Sequence, residues 1–198
     1  DNISHGAKFF RTVYFFPIVI SATALGLMFN LIFLYDKGMV NQLLESLGVT
    51  ELIDWKGEKL ALITMMLPVM WQYVGFYFVI FLTGIANIPA DIYESAMLDG
   101  IRPWQKAAYI TIPMLRSVLT SSIVLVISGC FKVFDIIFMV TNGGPLDSSQ
   151  LLSTYMYQKA FARGNGGYAS SIAIVMIVLG VAVTSVLRKL LSGGEENE

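Results

Sequence analysis

The chain has 198 residues, of which 56% are hydrophobic and 14% are charged, and its mean hydropathy is +0.68. Soluble domains carry about 25% charged residues, so this composition predicts that lipid is the protein's main solvent. The formal net charge of −1 gives no support for nucleic-acid binding. Because Cys130 and His5 are the only cysteine and histidine, an intrachain disulfide, a zinc site built on these residue types and a histidine-dependent triad are excluded.

Four segments are long and apolar enough to form transmembrane helices, each of which needs about 20 residues to cross the hydrocarbon core. The apolar run of the third segment is interrupted by two charged residues, Lys132 and Asp135. The pattern predicts an all-α, polytopic integral membrane protein that forms one domain over residues 1–198. Because the first residue is Asp1 and not methionine, we expect a fragment of a longer protein. The predicted spans cover residues 10–34, 60–85, 115–140 and 168–187.

Four spans place both chain ends on the same side of the membrane. Seven basic residues fall on this side and five on the other, and this weak bias predicts that the shared side is cytoplasmic. The loops over residues 36–58 and 141–167 then face outward. The cytoplasmic group is Lys8, Arg11, Arg102, Lys106, Arg116, Arg188 and Lys189, and the outer group is Lys37, Lys56, Lys59, Lys159 and Arg163.

A polar segment over residues 89–113 connects the second and third spans. Irregular backbone is excluded from lipid, so this segment is expected to lie in water or against a partner. Asp91 is expected to cap a helix over residues 92–99, with Glu94 completing a capping box at the positive end of the helix dipole. Gly100 would supply the positive φ angle that ends the helix.

Two interpretations of this short helix follow from its residues alone. It could be an amphipathic helix that lies on the membrane surface. It could also dock onto another protein, because the small residues Ser95 and Ala96 allow close approach. A second helical stretch, over residues 104–109, is expected before Pro113 and the third span.

The spacing of the loop residues resembles a known signature. Glu94-Ser-Ala, then Gly100, then Ile110-x-Ile112-Pro113 is similar to the loop of permease subunits in binding-protein-dependent ABC importers. The family pattern is Glu-Ala-Ala, three residues, Gly, nine residues and Ile-x-Leu-Pro. This chain departs from it at Ser95 and Ile112, which are mild changes in size.

Further segments resemble the sugar, or maltose-type, branch of that family. The resemblance implies the type I permease fold of ABC importers, with four of the usual six core helices present and the first two missing. It extends over nearly the whole chain. The segments that carry it are residues 9–17, 71–76, 131–135, 141–145 and 167–171.

The resemblance implies a permease subunit of an ATP-driven importer in a bacterial or archaeal cytoplasmic membrane. The implied partners are a cytoplasmic ATPase subunit that binds the ATP, a second permease subunit in a heterodimer and an extracytoplasmic solute-binding protein. No cofactor is expected on this chain, and because it lacks a P-loop motif it is not expected to hydrolyse ATP. The residues expected to couple it to the ATPase are Glu94, Ser95, Ala96, Asp99, Gly100, Ile110 and Pro113.

Two sets of span residues are candidates for the solute path. Lys132 and Asp135 lie inside a span, where charges usually face protein or water. They could instead pair with each other across one helix face. The second set could stack on and hydrogen-bond a neutral sugar, although its spacing also suits helix packing. It consists of Trp71, Gln72, Gly75 and Phe76.

Other classes of protein fit the sequence less well. An integral-membrane enzyme would need a cluster of catalytic groups that the pattern does not contain. A passive channel would have no use for a docking loop. Within the importer class, the alternative solutes are glycerol phosphate and a polyamine.

Overall fold

The computed structural model describes the backbone of residues 4–192 and the side chains of residues 9–191, so the side chains of His5 and Lys8 lie outside it. All regular elements of the described backbone are helical. They are α1 (Ser4–Val19), α2 (Ala22–Ile32), α3 (Met39–Ser46), α4 (Ala61–Ala86), α5 (Ala90–Leu98), α6 (Pro103–Lys106), the π-helical turn π1 (Ala107–Thr111), α7 (Ile112–Met114), α8 (Arg116–Cys130), α9 (Asp135–Val140), α10 (Leu152–Tyr157), the π-helical turn π2 (Gln158–Ala162) and α11 (Gly166–Ser192).

Three stretches are long and apolar enough to cross a membrane: Ala61–Ala86, Arg116–Val140 and Gly166–Leu191. They coincide with the second, third and fourth predicted spans. Only 6% of the most apolar window of the last one is buried, so its apolar surface is open to lipid or to other helices.

The first predicted span is not one continuous helix. α1 and α2 meet at an angle of 92°. Pro17 has no backbone N–H to donate within α1, and its ring disfavours a continuous helix. The amide of Ile20 then closes a tight turn onto the carbonyl of Pro17 at 3.2 Å. The prediction over residues 10–34 is therefore wrong in its continuity.

α1 runs antiparallel to α4, because Tyr14 lies beside Phe78 while Ile20 lies beside Gln72. The ring centroids of Tyr14 and Phe78 are 5.1 Å apart, and the Gln72 side chain contacts the Ile20 carbonyl. Gly75 is buried against the backbone of Tyr14.

α2 packs on α9 around the main cluster of buried apolar side chains. At Gly26 a side chain would meet Met139, since a Cβ built there lies 2.8 Å from the Met139 Cβ. Leu25 and Met65 are almost completely buried in this cluster, together with Ile136. The core therefore joins the broken first span to the first half of α4 and to the end of the third span.

The loop over residues 33–60 is held by a buried amide that the sequence does not single out. The Asn41 side chain is 1% exposed. Its Nδ2 donates to the carbonyls of Tyr35 at 2.8 Å and Ile53 at 2.9 Å, and its Oδ1 accepts from Trp55 Nε1 at 2.8 Å. Lys56 Nζ donates to Asn30 Oδ1 at 2.8 Å, which ties the loop to α2. The segment over residues 33–60 is thus ordered and is held against the helices.

Candidate coupling element and solute path

The predicted docking helix exists as α5, but it begins differently from the prediction. Its N-cap is Pro89, and no side-chain hydrogen bond caps it. Asp91 therefore does not cap the helix and lies in its first turn, where its charge still favours the positive end of the dipole. The capping-box prediction for Asp91 and Glu94 is wrong, because the helix starts two residues earlier than predicted, at Ala90, and Asp91 is already inside it.

The end of α5 has the geometry that the sequence predicts. Gly100 has φ +71°. Its amide donates to the carbonyl of Met97 at 3.1 Å, and the Ile101 amide donates to the carbonyl of Ala96 at 3.3 Å. This pair of bonds is the Schellman motif, which requires a left-handed residue after the C-cap. Asp99 is that C-cap residue.

One face of α5 packs on the protein and the opposite face is open. Ala96 is 6% exposed, whereas Met97 is 61% and Leu98 is 90% exposed. Glu94 is exposed as well, and so is Ser95, whose hydroxyl donates to the Asp91 carbonyl at 2.8 Å. An apolar tip beside a carboxylate, at the end of a rigid short helix, can contact a groove on another protein.

The second helical stretch predicted over residues 104–109 is present, and part of it is π-helical. α6 starts one residue earlier, at Pro103, and is followed by π1, which includes Ile110. Ile110 is half-buried and Pro113, in α7, is exposed. π-helical turns occur often at functional sites. The predicted coupling residues therefore lie on two linked units, α5 and the π1–α7 segment.

Three of the four candidate solute residues on α4 contact α1, α2 or the break between them, and Phe76 contacts its own helix. Trp71 packs its ring on Phe29, with centroids 5.9 Å apart, and Phe76 packs on Tyr77 at 5.3 Å. Gln72 is 5% exposed, and its Nε2 donates to the carbonyl of Ile20 at 3.4 Å. That carbonyl lies at the break between α1 and α2, so Gln72 satisfies a backbone acceptor that a continuous helix would have paired.

Lys132 and Asp135 are not on one helix. The α-helical hydrogen bonding of the third span stops at Cys130 and resumes at Asp135, and Lys132 lies in the turn between them. Both side chains are exposed, and among the described residues no ion pair joins them. The pairing, one of the two alternatives for these residues, is therefore absent, because residues three apart share a face only in a continuous helix.

Lys132 lines a groove of about 540 Å³ between α8, α10 and α11. Most of the lining is apolar, including Phe131 and Met176. Polar groups come from Ser128 and Thr184, whose hydroxyl oxygens lie 3.1 Å apart. The structure therefore separates the two candidate sets: three residues of the α4 set contact α1, α2 or the break between them, and Lys132 lines a groove beside α11.

The glycine-rich segment after α9 is an ordered loop. Asn142 and Gly143 have positive φ angles. The hydroxyl oxygens of Thr141 and Ser149 lie 2.7 Å apart, and the Ser149 hydroxyl donates to the Gly144 carbonyl at 2.8 Å. Gly-Gly in the sequence signals a turn, but it does not show which hydroxyls hold that turn.

A lysine and two tyrosines lie together beside this loop. Lys159 Nζ lies 4.7 Å from the ring centroid of Tyr155 and 5.5 Å from that of Tyr168. The pKa of Tyr155 is lowered, first by interaction with Lys159 and then with Tyr168. Within residues 9–191, no three histidine, cysteine or carboxylate side chains converge in a way that could hold a metal ion.

Sequence reasoning missed the role of Tyr93, which joins the two units of the loop. Its hydroxyl lies 3.1 Å from Thr111 Oγ1, and Lys106 Nζ lies 4.1 Å from its ring centroid. The sequence offered only the place of Tyr93 on the helix, one residue before Glu94.

A solved structure has the same fold. The chain matches a bacterial ABC transporter involved in the import of the acidic polysaccharide alginate with a TM-score of 0.85 and 21% identity, over 95% of this chain and 66% of that chain. This match shows a polytopic α-helical arrangement of the ABC permease type.

Comparisons with known sequences agree on one family. The probable ABC transporter permease protein YurN of Bacillus subtilis is 36% identical over 96% of this chain and 66% of that protein. The diacetylchitobiose uptake system permease protein NgcF of Streptomyces coelicolor is 35% identical, over 98% and 56%. The lactose transport system permease protein LacF of Rhizobium radiobacter is 34% identical, over 90% and 61%.

The chain thus spans 56–66% of the length of these relatives. The family model for the inner membrane component of binding-protein-dependent transport systems matches residues 5–193. With its apolar helices and permease fold, the chain belongs to this family of multi-pass cytoplasmic membrane proteins.

Proposed function

We propose that this chain is the membrane-spanning part of a permease subunit in an ATP-driven importer. The observation that carries the proposal is α5, a short helix between two spans that ends in a Schellman motif and presents Leu98 and Met97 to solvent. A cytoplasmic ATPase subunit would bind this surface, and its ATP-driven closure would move the spans between inward-facing and outward-facing states. The whole transporter would include a second permease subunit and an extracytoplasmic solute-binding protein.

The solute class that we propose is a sugar or oligosaccharide. Relatives are named for diacetylchitobiose and lactose, and the matched structure for alginate. Away from the ends of the described spans, the charged residues are Lys132 and Asp135. One lysine offers few partners for a dianion such as glycerol phosphate, and one carboxylate offers few for a polyamine. Hydroxyl groups and aromatic rings suit a neutral or weakly charged sugar.

An integral-membrane enzyme remains the alternative from a different class. It would need a nucleophile or a metal with a base beside it. We propose that the chain instead acts mechanically, with ATP bound and hydrolysed only on the partner ATPase, so that no cofactor resides on this chain.

The proposal requires α5 to lie on the cytoplasmic side. A cysteine at Asp99, introduced as Asp99→Cys in a Cys130→Ala background, should react with a membrane-impermeant maleimide only in inside-out vesicles. The matched control is Leu47→Cys, because Leu47 is 79% exposed in the 33–60 loop and should react only in right-side-out vesicles. Reaction of the Asp99 variant from the outside would contradict the proposed docking.

Two of the candidate solute residues, Lys132 and Gln72, should respond differently to replacement by alanine. Lys132→Ala is expected to raise the KM for solute by about tenfold, the scale of one hydrogen bond from a charged donor, without lowering thermal stability. Gln72→Ala is expected to lower stability by about 1–3 kcal/mol, because the Ile20 carbonyl loses its partner inside the membrane. Transport assays over a series of solutes, together with melting curves in detergent, measure both effects.

The control for Lys132 is Lys59→Ala, since Lys59 is exposed next to the start of α4. If the Lys132 and Lys59 variants show the same KM and the same solute preference as the unchanged chain, Lys132 does not line the path.

A further inference from the structure

Three side chains connect α5 to the base of the third span. Thr111 Oγ1 donates to the Lys106 carbonyl at 3.4 Å, which leaves its oxygen free to accept from the Tyr93 hydroxyl at 3.1 Å. The Lys106 ammonium lies over the face of the same tyrosine ring, 4.1 Å from its centroid. All three residues are half-buried, so water competes only partly for these contacts. We call Tyr93, Lys106 and Thr111 the Tyr93 latch.

The backbone between α5 and α6 does not by itself fix their relative position. Residues 99–102 are outside both helices, with Gly100 at φ +71° and Arg102 extended at ψ 153°. A Cβ built at Gly100 has no neighbouring atom within 4 Å. Rotation about a few backbone bonds in this link would let α5 turn while the third span stays in place.

At its other end, α5 is joined directly to α4. Only residues 87–89 separate the two helices. A pull on α5 therefore reaches α4 through a short backbone connection, and α4 in turn packs on the start of α8, where a Cβ built at Gly84 would meet Leu115 and Val118. The connections that run from α5 toward α8 without passing through α4 are the 99–102 link and the side chains of the latch. The latch bypasses the 99–102 link, because it joins α5 directly to π1 at Thr111, five residues before α8.

We propose that Tyr93 is a positioning residue that makes α5 and the third span move as one body. This inference rests on the proposed function and adds to it the route by which force reaches the span that carries Lys132. The hydroxyl of Tyr93 fixes the distance to π1, and the ring over Lys106 fixes its orientation. Tyr93 itself need not touch the ATPase, the solute or the nucleotide.

The test uses the complete transporter in proteoliposomes and measures solute molecules imported per ATP hydrolysed. Tyr93→Phe removes only the hydroxyl and should lower this coupling ratio about twofold to tenfold, the range that one hydrogen bond supplies in an equilibrium. Thr111→Val removes the same bond and also the one to the Lys106 carbonyl, so its loss should be at least as large. The double variant should be no worse than Thr111→Val, because the bond between the two side chains is already absent there. Thr111→Ser keeps the hydroxyl and should restore the unchanged ratio.

The outcomes separate this inference from the proposed function. A residue with only a structural role would lower transport and ATP hydrolysis in proportion, so an unchanged ratio in Tyr93→Phe and Thr111→Val overturns the latch. Additive losses in the double variant would overturn it too. Binding of the ATPase subunit should be the same in all four variants, since the exposed face of α5 is unaltered. If the unchanged chain binds no ATPase at all, the proposed function fails instead.

Discussion

Replacing Gly100 by valine is expected to abolish ATP-driven transport while the chain still inserts into the membrane. Gly100 has φ +71°, and a left-handed conformation costs roughly 1–2 kcal/mol in a residue with a Cβ, more for a β-branched one. The valine would avoid this cost by leaving that conformation, which breaks the bonds from Gly100 and Ile101 to the end of α5. The exposed tip at Leu98 would then point in a different direction.

The matched control is Gly100→Asn, because asparagine tolerates positive φ better than other residues with a side chain. A built Cβ at Gly100 has no atom within 4 Å, so the added side chain causes no clash within the chain. The asparagine variant should retain most of its coupling and the valine variant should not. Glu94→Lys, on the same exposed surface, should prevent docking by charge reversal without any change in backbone.

Two measurements check this prediction: co-purification of the permease with its ATPase, and ATP hydrolysis stimulated by the loaded solute-binding protein. Both should be lost in Gly100→Val and in Glu94→Lys, with normal amounts of each variant in the membrane. Normal transport in both variants would show that α5 is not the docking element.

The parts of this fold that sequence reasoning predicted are those that depend on local chemistry. Apolar length alone located the three long spans, because a lipid-crossing helix must be about 20 residues long whatever it packs against. Gly100 was predicted correctly at the end of α5, because few other residues adopt its φ angle. Each of these features depends on a single residue or on a run of residues of one type.

The parts that were missed depend on distant contacts. The 92° bend after α1 is compatible with Pro17 but not required by it, since proline is tolerated in many membrane helices. The bend is stabilised by Gln72, 52 positions away in the sequence. Likewise, the alternative in which Lys132 pairs with Asp135 assumed a continuous helix, whereas α8 ends at Cys130 and α9 begins at Asp135.

Gly75 shows how one residue supports two interpretations until its neighbours are known. Its spacing with Trp71 on α4 suits both a sugar-binding face and a helix-packing face. In the structure it is buried against the Tyr14 backbone, with a built Cβ overlapping the Tyr14 carbonyl group and lying 3.0 Å from the Phe15 amide nitrogen. Backbone atoms cannot move aside by a change of rotamer, so the contact between α1 and α4 requires glycine at this position.

Gly75→Ala is therefore expected to separate α1 from α4 and to lower the melting temperature by about 6–12 °C, given an overpacking cost of about 3 kcal/mol and about 2–4 °C per kcal/mol for a chain of this size. Gly129→Ala is the matched control, since Gly129 is also helical but a Cβ there meets no atom within 4 Å. Its melting temperature should stay the same or rise slightly, because alanine favours the helix. Thermal unfolding in detergent measures both. The opposite result, altered transport with an unchanged melting temperature in Gly75→Ala, would contradict the packing role. It would show that Gly75 lines the solute path.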